Sequence, residues 1–129
     1  MCLPLKPFAV EREWPHMGLL CAVVMNMEGG HRCGYVRVGP SRPDHGKYYN
    51  DVDVSVHGGL TFGELEPCAH EDGQGFWFGF DCAHCDDAAF DPKGAMNKYN
   101  IHALNLHYWT TEEVVRETNT LAEQLAHRR

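Results

Sequence analysis

The sequence predicts an α+β domain: an antiparallel β-sheet of about four or five strands with one long C-terminal α-helix packed on it. Three observations predict it. Apolar runs of strand length, rich in Val, Cys and aromatic residues, recur along the first 81 residues and are separated by Gly, Pro, Asn and Asp. One of them, Val52-Asp-Val-Ser-Val-His57, alternates strictly with period two. The tail from Thr110 switches to helical periodicity. A chain of 129 residues makes one domain, 1–129, with a core of useful size.

Taken in order, residues 1–17 hold Pro4, Pro7 and Pro15 and are expected to form an irregular arm, with Trp14 pinning it to the core. Gly18–Asn26 reads as a buried strand. Glu28-Gly-Gly-His31 supplies turn chemistry, and Arg32–Val38 resumes as a second strand, completing a hairpin. Gly39–Asp51, with Pro40, Pro43, Gly46 and Asn50, is a long loop. The alternating run Val52–His57 is expected to be a strand continuing through Gly58-Gly59 to Phe62, with the valines on one face. Gly63–Gly75 is a second polar loop. Phe76-Trp-Phe-Gly-Phe-Asp81 is a strongly apolar strand. Residues 86–109 are compatible with strand or irregular structure. Thr110-Thr-Glu-Glu113 is a capping box, and Val114, Thr118, Leu121 and Leu125 follow on one face, so the helix runs from about 111 to 127.

Composition narrows the functional classes. Eighteen acidic against eleven basic residues give a net charge of −7, which disfavours binding to a nucleic-acid backbone, since that needs clustered Lys and Arg. The longest strongly apolar run, Leu19–Met25, is too short to cross a bilayer. The opening residues lack the apolar core of a signal peptide. A cytoplasmic setting with all six cysteines reduced is the expectation. Nothing in the sequence sets the oligomeric state.

The chemistry-bearing residues concentrate in two segments, His57-Gly-Gly-Leu-Thr-Phe62 and Asp81-Cys-Ala-His-Cys-Asp-Asp87. The paired glycines after His57 permit close approach of backbone or ligand. The second segment exposes Asp81, His84, Asp86 and Asp87 at the end of a buried strand. Three readings compete. His57, Asp81, His84 and Asp87 could surround a divalent metal, Zn foremost, that activates water. Cys82-x-x-Cys85 with Cys68-x-His70 could hold a structural zinc, on a spacing that is imperfect. The same groups could hydrogen-bond a polar ligand without metal. Against each stands a plain structural alternative: Asp81 as a local cap, His57 as a satisfied core histidine, Gly58-Gly59 as a bulge, Cys82 as packing.

His31-Arg-Cys-Gly-Tyr-Val36, His57-Gly-Gly-Leu-Thr-Phe62, Trp77-Phe-Gly-Phe-Asp-Cys-Ala-His84 and Leu121-Ala-Glu-Gln-Leu125 resemble a family of small uncharacterised proteins of bacteriophages and prophages. The resemblance spans about residues 18–127 and implies a phage-type origin and a cytoplasmic setting, with no activity attached. The family pattern has Ala and Gly where this chain has Cys85 and Asp86, which weakens the Cys82-x-x-Cys85 zinc site and favours Asp87.

The expected function is therefore metal-assisted hydrolysis of a small nucleotide-like phosphoester. In it His57, Asp81 and His84, with Cys82 and Cys68 as further donors, would hold the metal, and Asp87 would orient the water. Two other classes stand beside it. One is a non-catalytic protein that sequesters a signalling nucleotide. The other is an acidic protein that blocks a host enzyme through surface acids including Glu64, Glu66, Glu71 and Asp72. The polar faces of the strands carrying His57 and Asp81 are expected to converge on one cleft.

Overall fold

The computed structural model of the chain describes residue 3 and residues 8–26, 29–83, 87–88 and 107–127. Five antiparallel strands, β1 (Phe8–His16), β2 (Leu19–Asn26), β3 (His31–Val38), β4 (Phe62–Leu65) and β5 (Phe76–Asp81), form one sheet in the order β1-β2-β3-β5-β4. Helix α1 (Thr111–Ala126) packs across β1, β2 and β3. Asp87–Ala88 and His107–Tyr108 pair in parallel as β6 and β7. This is the α+β architecture the sequence predicts.

Alternation divides the sheet between two layers. Cys21, Val23, Val36, Val38, Phe76, Phe78 and Phe80 face the helix and bury Val114, Leu121, Ala122 and Leu125 against them. Their neighbours Ala22, Val24, Cys33, Tyr35 and Trp77 form a second cluster on the opposite face, joined by Leu3, Leu20 and Phe62. The helix comes close because β3 has Gly34 beneath it. A Cβ there would fall on Thr118 Oγ1 and on the Phe80 ring, so the position is a notch that only glycine provides. The capping box forms as expected: Thr110 Oγ1 accepts from Glu113 N–H, and Glu113 accepts from Thr110 N–H at 3.0 Å.

Two expectations are corrected. Residues 8–16 are a strand and not an irregular arm. Pro15 is accommodated because β1 is an edge, where one missing N–H need not break a ladder. Trp14 does pin this strand, its Nε1 donating to Asn119 Oδ1 at 2.7 Å. The strand ends in a two-residue turn, Met17-Gly18, with φ of 56° and 78°. Second, Val52–Thr61 is not a strand, and β4 begins only at Phe62. The alternation was nevertheless meaningful: Val52, Val54 and Val56 pack on the helix-side core. Their partner is the helix. Gln124 accepts from Ser55 N–H at 2.7 Å and donates to Ser55 C=O at 2.9 Å, as a neighbouring strand would. Gly58 and Gly59, both at positive φ, then turn the chain.

An irregularity in β1 sets one further contact. The register with β2 shifts between Val10 and Arg12, leaving Glu11 as an extra residue. Two consecutive side chains can then face the helix. Glu11 takes a bidentate bond from Arg32 (2.6 and 3.2 Å) and one from Thr111. Arg12 reaches Glu112 at 3.1 Å. Arg32 also donates to Tyr108 Oη and to Trp109 C=O, tying β3 to the lead-in of the helix.

Candidate functional site

The residues singled out in the sequence are distributed over both layers. His57 stacks on Trp109, ring centroids 4.4 Å apart, and its backbone N–H donates to Glu117 at 2.8 Å. It belongs to the helix side. Asp81 stands opposite Cys33 on β3, on the face away from the helix. Its Oδ1 accepts from Ala83 N–H at 3.2 Å, a local side-chain turn. His57, in the turn after the non-strand run, and Asp81, at the end of β5, thus lie on opposite sides of the sheet, and the expected convergence of their polar faces is not found. Cys82 is buried in the helix-side core. Cys68 is disulfide-bonded. That corrects the expectation of six reduced cysteines, and a disulfide sulfur is no thiolate ligand. His84 and Cys85 lie outside the described residues, as does the side chain of Asp87. Among the described residues no group of three His, Cys, Asp or Glu side chains is placed to hold a metal ion.

The densest polar constellation lies at the other end of the sheet. Arg37 on β3 is on the face away from the helix, where a lone guanidinium would be costly. Glu66, just past β4, meets it. Its side chain has 0% exposure and accepts from Arg37 Nε and Nη2 (3.0–3.1 Å), from Gly75 N–H and from Trp77 Nε1 at 3.2 Å. His70 Nε2 stands 3.4 Å from the same carboxylate. Asp72 completes the fork on Arg37 at 2.8 and 3.1 Å. Burial alone would raise the Glu66 carboxyl, and the bonds from Arg37, Gly75 and Trp77 outweigh it, leaving Glu66 below the ordinary carboxylate range. Asp72 is also lowered, chiefly by Arg37. Arg37, held by both acids, is raised and stays charged at any working pH.

This network walls two adjoining recesses. The larger, about 440 Å³, is lined by Leu20, Arg37, His70, Glu71 and Asp72. The smaller, about 180 Å³, shares Leu20, Arg37 and Asp72 and adds Ser41 and Arg42 beneath the β1–β2 turn. Arg37 is saturated by carboxylates. Arg42 is half-buried and, among the described residues, has no ion-pair partner. Ser41 and Arg42 therefore line the smaller recess and Glu71 the larger, while Asp72, already bonded to Arg37, lies on the wall common to both.

Sequence reasoning missed this corner. It took Glu66 for a surface acid, whereas Glu66 is fully buried, and it used His70 only as half of a zinc spacing. A signal was present. Alternation puts Arg37 on a sheet face with Cys33 and Tyr35, and a cation so placed requires a carboxylate from a nearby loop. Compared with protein-family models, curated proteins and solved structures, the chain matches none.

Proposed function

We propose that the domain binds a small nucleotide-like ligand in the paired recesses, without chemistry, and so lowers its free concentration. The observation that carries this is Arg42: a half-buried guanidinium beside Ser41, free of any carboxylate among the described residues, at the mouth of a polar recess. A phosphate at that end would gain charge-assisted hydrogen bonds. Ribose hydroxyls or base amino groups would donate to Glu71 and Asp72 in the larger recess, against the apolar wall of Leu20. The preformed Arg37–Glu66–Asp72 frame keeps the ordering cost of binding low. In the phage setting that the motif resemblance implies, such a protein would sequester a host signalling nucleotide.

Equilibrium dialysis against the four ribonucleoside monophosphates and inorganic phosphate tests this. Saturable uptake of at least one nucleotide is expected, with recovery of the nucleotide unchanged. Arg42→Ala should weaken it roughly tenfold or more, as for loss of a hydrogen bond to a charged group, without altering the circular dichroism. No uptake at millimolar nucleotide overturns the proposal. Release of phosphate that needs added zinc and is abolished by His84→Ala would favour metal-assisted hydrolysis at His57, Asp81, His84 and Asp87 instead.

A further inference from the structure

We propose that the outer edge of β4 is a docking strand for an extended basic peptide segment, which adds to the sheet beside Tyr48 and Tyr49. None of the residues involved lines the two recesses.

The sheet has two edges, β1 and β4, and they are built differently. β1 carries a register shift between Val10 and Arg12, the charged Glu11, Arg12 and Glu13, and Pro15. Each of these discourages a further strand. β4 has no proline and no register shift. Its pairing with β5 runs on past both ends, through Thr61 N–H to Gly79 C=O at 2.9 Å and Glu66 N–H to Gly75 C=O at 3.0 Å. The second bond sets the parity. Glu64, two residues earlier, turns its backbone groups to β5, and Gly63 and Leu65 turn theirs outward. Among the described residues nothing pairs with those outward groups.

The side chains along this edge define what fits it. Leu65 faces the helix side, opposite Phe76, and is 47% exposed. Gly63 shares that face, and a Cβ built on it would stand 3.4 Å from the Tyr49 Cβ. Tyr48, 58% exposed, stacks on Tyr49 with ring centroids 4.6 Å apart. Charge then selects the occupant. Glu64 is exposed, as is Asp51, which ends the short 3-10 turn that Tyr49 begins. Neither has an ion-pair partner among the described residues. A second copy of this chain would bring the same acids, with a net charge of −7, whereas a basic segment neutralises them. An antiparallel segment passes Leu65, Glu64 and Gly63 in that order. Its matching residues are apolar, basic and aromatic: the first packs on Leu65, the second pairs with Glu64, and the third lies over Gly63 beside Tyr49.

The test titrates the full chain against the fluorescently labelled, amidated peptide Lys-Val-Arg-Phe-Lys and against Glu-Val-Glu-Phe-Glu, read by anisotropy. Saturable binding of the basic peptide is expected, weakening as salt is raised, with none of the acidic one. Amide exchange gives the structural readout: the Gly63 and Leu65 amides should exchange readily in the chain alone and slow when the basic peptide is bound. Glu64→Lys should weaken binding roughly tenfold or more, as for loss of a charge-assisted bond, with unchanged circular dichroism. Tyr48→Ala should weaken it less. No binding at about 1 mM peptide, equal binding of the acidic peptide, full binding by Glu64→Lys, or binding that leaves both amides unprotected overturns the proposal. Protection of those amides that rises with protein concentration and without peptide assigns the edge to a second copy, and overturns it too.

Discussion

Strand β3 carries an arginine near each end, and the two ends use the same chemistry differently. Arg32 grips Glu11 and the lead-in to the helix, with the glutamate side chain 24% exposed. Arg37 grips Glu66, whose side chain is fully buried, and Asp72, which is half exposed. The Arg32 end is a tie between elements already packed together. The Arg37 end is a polar core with open space against it. Burial of the carboxylate makes the difference, because a buried ion must be satisfied completely and therefore fixes everything around it. A rigid polar frame beside a recess suits ligand binding.

Removing one charge at each end tests this contrast most strongly. Glu66→Gln should cost about 3–5 kcal/mol of stability by urea denaturation, as for a broken buried pair. Glu11→Gln should cost about 1–2 kcal/mol, the usual range for a partly exposed bond to a charged group. Equal losses would erase the distinction.

Acid sharpens it. Glu66 and Asp72 are lowered in the folded state, so their contribution is complete above the ordinary carboxylate value, about 4. It is lost as the pH falls through the depressed folded values. The wild type should therefore lose stability on acidification below that value, and Glu66→Gln should flatten the loss.

Smaller effects belong to the surroundings of each end. Thr110→Ala, beside the Arg32 end, should cost about 1 kcal/mol in thermal unfolding through the lost cap. Met17→Asn, above the Arg37 end, should stabilise by about 1 kcal/mol, since a left-handed backbone suits Asn better than Met.

Much of the fold was legible in the sequence because the signals were local. The capping box, the Gly-Gly hairpin and the aromatic strand each depend on residues a few positions apart. What escaped depends on partners far along the chain. The period two of Val52–Val56 says that one face is buried, not what buries it, and here a helix side chain 69 residues away takes the strand's place. Pro15 reads as a breaker until the strand is known to be an edge. The site was less legible still. His57 and Asp81 were grouped for their chemistry, but the alternating run packs on the helix without entering the sheet, which leaves His57 on the helix side while β5 turns Asp81 to the other face. Glu66 was indistinguishable from its exposed neighbour Glu64 until the sheet placed Arg37 over it.

The carboxamide of Gln124 has a practical consequence. It holds both the amide and the carbonyl of Ser55, while Glu117 holds the amide of His57. These two backbone amides are consequently built-in spectroscopic probes of helix docking. In a nitrogen–proton correlation spectrum their resonances should shift together whenever the helix lifts from the sheet, and stay fixed when only the distant recess is filled. Two peaks would then report separately on the scaffold and leave the recess to its own signals.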